Sequence, residues 1–228
     1  VEVVAGYIEP HTRPATLALL DGLEQLPPLV PTHKGVALRE FDLDAALARR
    51  PQLLLVDELA HTNAAGCRHR KRYQDVEELL RAGIDVYTTV NVQHLESLND
   101  IVASITGVTV RERVPDSVFD SADQVELVDL EPQELIARLQ AGQIYAAGQA
   151  RRALAHFFTH ENLVALREIA LRRTADRVNR AAEREKRQSG YYTEEHILIC
   201  LSSSPSNAKV IRTAARMAEA FHSEFTAL

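Results

Sequence analysis

Leu53-Leu54-Leu55-Val56-Asp57-Glu58 sets four consecutive apolar residues directly before two carboxylates. An apolar run this short, with no polar residue alternating through it, reads as a strand buried on both faces, the kind that parallel sheets are made of. In open α/β sheets ligands bind outside the carboxyl ends of the strands, so Asp57 and Glu58 stand where a buried strand opens onto a crevice. In P-loop nucleoside triphosphatases a carboxylate in this place holds the magnesium of Mg-ATP, and an adjacent Glu can align the attacking water. The plain alternative is a strand that ends in acids because it surfaces there, and so short a motif does not separate the two.

Outward from this strand, short apolar runs alternate with amphipathic stretches, the pattern of βα units closing a mostly parallel sheet. Strands are expected at residues 1–8, 52–57, 84–90, 108–110 and 125–128, all brief and rich in Val, Ile or Leu. Thr12, Arg13 and Pro14 precede ATLALLDGLEQL (15–26), an N-cap and first-turn proline followed by helical periodicity. Asp42 is placed to cap a helix over DLDAALARR, and residues 70–81 form another, closed by Gly83. From Pro132 to Gln188 nearly every residue is a helix former, with Leu163, Leu166, Ile169 and Ala170 on one stripe, so this stretch reads as a helical extension with a solvated, arginine-rich end. Residues 189–195 read as a linker. A second, truncated α/β unit follows at 196–228: a strand from His196, a polar turn at 202–207, a helix over 208–221 and a last strand at 224–228. The fold class is therefore α/β, with one domain over 1–188 and the start of another after the linker.

Composition narrows the function. Of 228 residues, 46% are apolar and 25% charged, which excludes disorder throughout. The net charge of -6 speaks against broad attraction to nucleic acid or an anionic membrane, so any anion site is local. Cys67 and Cys200 offer no disulfide framework and suit a reducing compartment. The apolar runs are too short to span a bilayer. Val1 opens inside a strand-like run and the chain stops on another, so the sequence reads as a piece of a longer protein.

A P-loop also needs a glycine-rich phosphate cradle ending in Lys followed by Ser or Thr. Lys34, Lys71, Lys186 and Lys209 precede Gly, Arg, Arg and Val, so the cradle is expected upstream of Val1 if the Asp57-Glu58 pair is genuine. Asn91, Gln93 and His94, after the next strand, stand either where a γ-phosphate sensor belongs or at an ordinary polar helix start capped by Asn91. The loop from His61 to Arg72 holds His61, Cys67 and His69, but lacks the paired spacing of a zinc site. It reads instead as a mobile basic loop in which Arg68, Arg70 and Lys71 are candidate phosphate or partner contacts. His160-Glu161 faintly resembles an autokinase acceptor motif and reads as a helix start.

FDLDAALARRP (41–51), LLLVDELAHTNAAGCRHRKRYQDVEELLRAGIDVYTTVNVQHLESLND (53–100), GQARRALAHFF (148–158) and NLVALREIALRRTADRV (162–178) closely resemble the cytoplasmic N-terminal region of the KdpD family of osmosensitive potassium-channel sensor histidine kinases. The resemblance runs over nearly all of residues 1–187. It implies a P-loop NTPase-like fold whose Walker A element lies just before the strand at 1–8, with Asp57-Glu58 at the Walker B position. It further implies ATP with magnesium as cofactor and the kinase core of the same parent chain as partner, with the potassium transporter or other cytosolic regulators as further candidates. The place it implies is the cytoplasmic face of the bacterial inner membrane, as part of a two-component system. The end of the chain resembles the universal-stress-protein domain that follows in that family. There Ser202 and Ser204, with Phe225, Thr226 and Ala227 after a spacer, match an arrangement associated with cyclic di-AMP; the plain alternative is a polar βα turn. Three functions are weighed: a regulatory ATP-sensing domain, a nucleotide-independent interaction module, and a stand-alone NTPase, which the missing cradle disfavours.

Overall fold

The computed structural model describes residues 1–11, 13–33, 36–144, 148, 157–188, 196–202, 207–221 and 223–228. The apolar runs pair as their composition predicts. Strand β1 (Val3–Tyr7) lies parallel to β5 (Leu53–Val56), with Val4 opposite Leu54 and Tyr7 opposite Val56 across an irregularity between Ala5 and Tyr7. Strand β5 is followed by helix α3 (Arg72–Arg81), and β6 (Asp85–Thr88) returns parallel to β5 in unbroken register from Leu53 with Asp85 to Val56 with Thr88. A fourth strand, β2 (Glu24–Gln25), completes the parallel order β2-β1-β5-β6. Val4, Leu54, Val56, Leu79 and Ile84 are almost wholly buried and form the centre of the core with Phe41, Leu43 and Ala46.

Between β1 and β5 lie α1 (Pro14–Leu19), a small antiparallel pair of β3 (Thr32–His33) with β4 (Val36–Ala37), and α2 (Leu43–Arg49). The expected cap of α2 is present: the Asp42 carboxylate accepts the Ala45 N–H at 2.9 Å. The helix expected over 15–26 stops at Leu19. It buries none of its residues, so no tertiary packing extends it, and Gly22 takes φ +83 before Glu24 and Gln25 turn into β2 opposite Val4 and Ala5. Thr12, the expected cap, lies outside the described residues.

After β6 come two short 3-10 turns, Val92–His94 and Glu96–Leu98, then α4 (Asn99–Thr106), α5 (Asp116–Asp120) and α6 (Pro132–Gln140). The strands expected at 108–110 and 125–128 do not form. Val108 follows the left-handed Gly107 that ends α4, the Val110 carbonyl is taken by the Asn99 side-chain amide at 2.9 Å, and Val128 is 93% exposed. An apolar run becomes a strand only beside a neighbour that completes its hydrogen bonds, and these two runs have none among the described residues.

The helical extension is two described helices, α6 and the 29-residue α7 (His160–Gln188), on whose stripe Leu163 and Leu166 are buried. The linker at 189–195 lies outside the described residues. Beyond it β7 (His196–Ile199), α8 (Asn207–Ala220) and β8 (Glu224–Ala227) form the expected strand-helix-strand unit, with the two strands parallel. The chain divides into two compact units, Val1–Ala175 and Asp176–Leu228. Among the described residues no helix is long and apolar enough to cross a membrane.

Gly6, the one glycine within a strand among the described residues, has little room: a Cβ there would meet Leu54 Cγ and Phe41 Cε2, each at 3.0 Å. Gly6→Ala is expected to destabilise the chain by about 1–3 kcal/mol through overpacking, read as a lower urea midpoint at unchanged slope.

Candidate functional site

Parallel pairing brings the ends of β1, β5 and β6 to one edge, and the residues that follow each strand make the site. Because β5 and β6 run in step from Leu53 with Asp85 to Val56 with Thr88, the next pair outward is Asp57 with Thr89. The Thr89 hydroxyl donates to Asp57 Oδ1, which also accepts the Glu58 N–H at 3.0 Å, while Asp57 Oδ2 accepts the Glu9 N–H at 3.3 Å. Asp57 is thus held from the loops after β1 and β6 at once. A carboxylate offers about four lone-pair positions, so Oδ2 retains one for a magnesium-bound water, and the site fits the ion through water.

Glu58 takes φ +58, left-handed backbone that a side-chain-bearing residue adopts at a cost of about 1–3 kcal/mol. Its carboxylate lies 3.4 Å from His11 Nε2 and 4.0 Å from both His61 Nδ1 and Arg72 Nη1. Beneath it Arg72 is fully buried. Its guanidinium donates to the Asp57 carbonyl at 3.1 Å and to Glu40 Oε2 at 3.2 Å, and stacks 4.2 Å above the Tyr7 ring. Glu40 is 3% exposed and also accepts the Ala64 N–H at 2.8 Å, with His61 Nε2 3.0 Å away. The Tyr7 hydroxyl donates to Glu9 at 3.0 Å; burial first, then the Glu9 charge, pushes the phenol up to about 12.

The loop from His61 to Arg72 is tied down rather than loose. Thr62 bridges to Lys71, the Asn63 N–H donates to the Arg70 carbonyl, and the Asn63 amide reaches the His69 carbonyl and buried Asp75 at 3.1 and 2.6 Å. Burial raises the Asp75 carboxyl above the ordinary carboxylate range. Of the candidate phosphate contacts, Arg68 is ion-paired to Asp44 and Glu78, Lys71 Nζ donates to Thr62 Oγ1 at 2.7 Å with its ammonium pKa lowered by burial, and Arg70 is exposed. Asn91 is exposed at the start of the first 3-10 turn, with no side-chain cap bond, and Gln93 is half-buried within it. Both follow Thr89 in the chain, but Thr89 is the residue that touches Asp57. Sequence reasoning also passed over Glu9, Glu40 and Arg72. A polar residue one step beyond β6, in register with Asp57, was the available signal for Thr89. Among the described residues no group of three or more His, Cys, Asp or Glu could hold a metal ion by itself.

In the second unit Ser202 follows the carboxyl end of β7, whereas Phe225 pairs with Ile197 near its start and the Thr226 hydroxyl lies 2.8 Å from His196 Nε2. Ser204 lies outside the described residues. A ligand touching Ser202 and Phe225 together would have to run along the strand.

Residues 1–178 match the family model described as the osmosensitive K+ channel His kinase sensor domain, KdpD. The sensor protein KdpD of Clostridium acetobutylicum is 59% identical over 231 residues, covering 100% of this chain and 26% of that protein. That of Escherichia coli K12 is 55% identical, covering 96% of this chain and 25% of its own. A putative sensor protein KdpD of Synechocystis is 49% identical, with 95% and 59% covered. The chain thus spans about a quarter of the length of the first two relatives.

Arg72→Met is expected to cost about 3–5 kcal/mol, because it leaves Glu40 buried without its guanidinium; adding Glu40→Leu should recover part of that loss in chemical denaturation. The raised Tyr7 phenol gives a second outcome. An unfolded tyrosine ionises near pH 10, so its contribution is fully present below about pH 10 and is lost as pH rises towards 12. Urea midpoints of the wild type should therefore fall faster between those pH values than those of Tyr7→Phe.

Proposed function

The chain belongs to the KdpD family of osmosensitive K+ channel histidine-kinase sensor domains, and from that premise we propose that it is the regulatory, ATP-sensing part of a longer two-component sensor histidine kinase. In this reading it works at the cytoplasmic face of a bacterial inner membrane and acts on the kinase core of its own parent chain to control potassium uptake. The observation that carries the nucleotide reading is the Asp57–Thr89 contact, which fixes a carboxylate at the carboxyl edge of two adjacent parallel strands.

Asp57 would hold the magnesium of Mg-ATP through water, with Asn91 and Gln93 as candidate contacts to its phosphates. When bound, Mg-ATP supplies the charge and the phosphoryl group that this edge lacks. The residues present do the rest. Glu9 and Thr89 orient Asp57, and Arg72 braces the peptide between Asp57 and Glu58. His11 and His61 flank the Glu58 carboxylate. The cradle for the β- and γ-phosphates would come from the parent protein outside residues 1–228. The outer edge of β6 favours this: among the described residues it pairs with β5 alone and Tyr87 is 66% exposed, so a further parallel strand and its phosphate loop can lie beside Thr89. Cyclic di-AMP at the second unit is proposed only as a ligand of the completed stress-protein-like domain, since the strand register spreads Ser202 and Phe225 apart.

Calorimetry of Mg-ATP on the parent protein's cytoplasmic region, including the residues before Val1, tests the reading. Binding is expected, and Asp57→Asn or Thr89→Val should weaken it about tenfold, which is about 1.4 kcal/mol. No binding, or affinity unchanged in Asp57→Asn, would leave an interaction module. ATP turnover by the 228-residue chain alone would favour a stand-alone NTPase.

A further inference from the structure

Both strands that carry the candidate site hand contacts to one later segment. From the loop after β5, the Thr62 N–H donates to Glu112 Oε1 at 2.8 Å. From the turn after β6, His94 Nδ1 donates to the Glu112 carbonyl at 2.9 Å, so that Nδ1 carries the proton. The chains are then laced together: the Val114 N–H donates to the His94 carbonyl and the Glu96 N–H to the Val114 carbonyl, with Leu95 and Val114 both buried between them. Ser97 adds its N–H and its hydroxyl, both donated to Asp116 at the start of α5, at 2.9 and 2.7 Å.

The same short helix seats α7. Arg173, 7% exposed, donates from Nη2 to Asp120 at 2.7 Å and to Asp116 at 3.3 Å, and its guanidinium lies 4.7 Å above the Phe119 ring. Helix α5 fully buries none of its own residues; half-buried Val118 packs it against the core, and these polar contacts add to that apolar hold. Arg173 Nη1 is buried with no hydrogen-bond partner. A buried guanidinium short of one partner is held at a cost that hydration would relieve. A shift of α5 that drew its carboxylates away would release this guanidinium to water, giving the seat a second state. Burial alone would raise the Asp116 carboxyl; the Ser97 and Arg173 hydrogen bonds outweigh it and lower it, which keeps the docking charge in place.

We propose that residues 112–120 couple occupancy of the Asp57–Thr89 edge to the seating of helix α7, with Arg173 as the latch. This rests on the nucleotide reading above and adds to it a route by which a ligand at the sheet edge is reported elsewhere. Coupling of this kind is reciprocal, so the latch must act back on the ligand. Leu163 and Leu166 are buried, and Arg167 is paired to Asp129 at 2.5 Å and Glu131 at 2.8 Å, which keeps the first turns of α7 docked when Arg173 is replaced.

Hydrogen exchange on the full-length parent protein, with and without Mg-ATP and alongside calorimetry, tests the proposal. In the wild type, Mg-ATP should slow exchange about fivefold at 94–97, 112–120 and 167–174. Arg173→Gln should keep the slowing at 94–97, lose it at 167–174, and weaken Mg-ATP by about fivefold. Asp57-dependent binding with no slowing at 167–174 in the wild type overturns the latch and leaves the nucleotide reading standing. So does Arg173→Gln with lower thermal stability but unchanged affinity and unchanged slowing, since that is a purely structural arginine. No heat of Mg-ATP binding in the wild type overturns the nucleotide reading, and the ATP-driven latch with it.

Discussion

Two opposite charges meet in the interior at Arg72 and Glu40, and the candidate site hangs on their being paired there. Removing each ion from water costs several kcal/mol, which their mutual attraction offsets only with further hydrogen bonds. The arginine donates to the Asp57 carbonyl and stacks on the Tyr7 ring, with its Nε buried and unpartnered, and the glutamate has the Ala64 N–H and His61. The contributors come from the end of β1, the approach to α2, the turn after β5 and the first residue of α3. Their geometry must agree before the pair can be buried. Glu58, with its left-handed backbone, lies in the turn beside this guanidinium.

From that anchored turn the carboxyl edge acquires its order. Asp57 already receives three donors, so it is held in one orientation before any ligand arrives, and preorganisation of this kind lowers what binding must spend on ordering. Glu58 is flanked by imidazoles and by Arg72. In the proposed sensing role such an edge registers occupancy with little rearrangement of its own. What moves is then sought in the weakly buried elements around it, of which α5 is the plainest case.

Much of the fold was legible in the sequence because it rests on local physics. Four apolar residues ahead of Asp57 gave β5, Asp42 was a capping residue in the right place, and the strand-helix-strand pattern after His196 formed as read. That apolar run, read as a buried strand, put Asp57 and Glu58 at its carboxyl edge. Where the reading failed, the missing information was a partner. The runs at 108–110 and 125–128 have strand composition but no neighbour to pair with, and the helix expected to reach residue 26 found no surface to pack on, so Glu24 and Gln25 joined β1 instead.

The site divides the same way. The sequence by itself determined which strand ends in carboxylates, that α/β crossovers bring strand ends to a common edge, and that the familiar phosphate cradle is not written in these 228 residues. Only the tertiary structure decided that Thr89, rather than Asn91 or Gln93, touches Asp57, that Arg68 is committed to Asp44 and Glu78, and that Arg72 and Glu40 are buried together. The physical reason is range. Periodicity and capping act over a turn or a strand, whereas these contacts join residues 10 to 32 positions apart, brought together by sheet register and core packing.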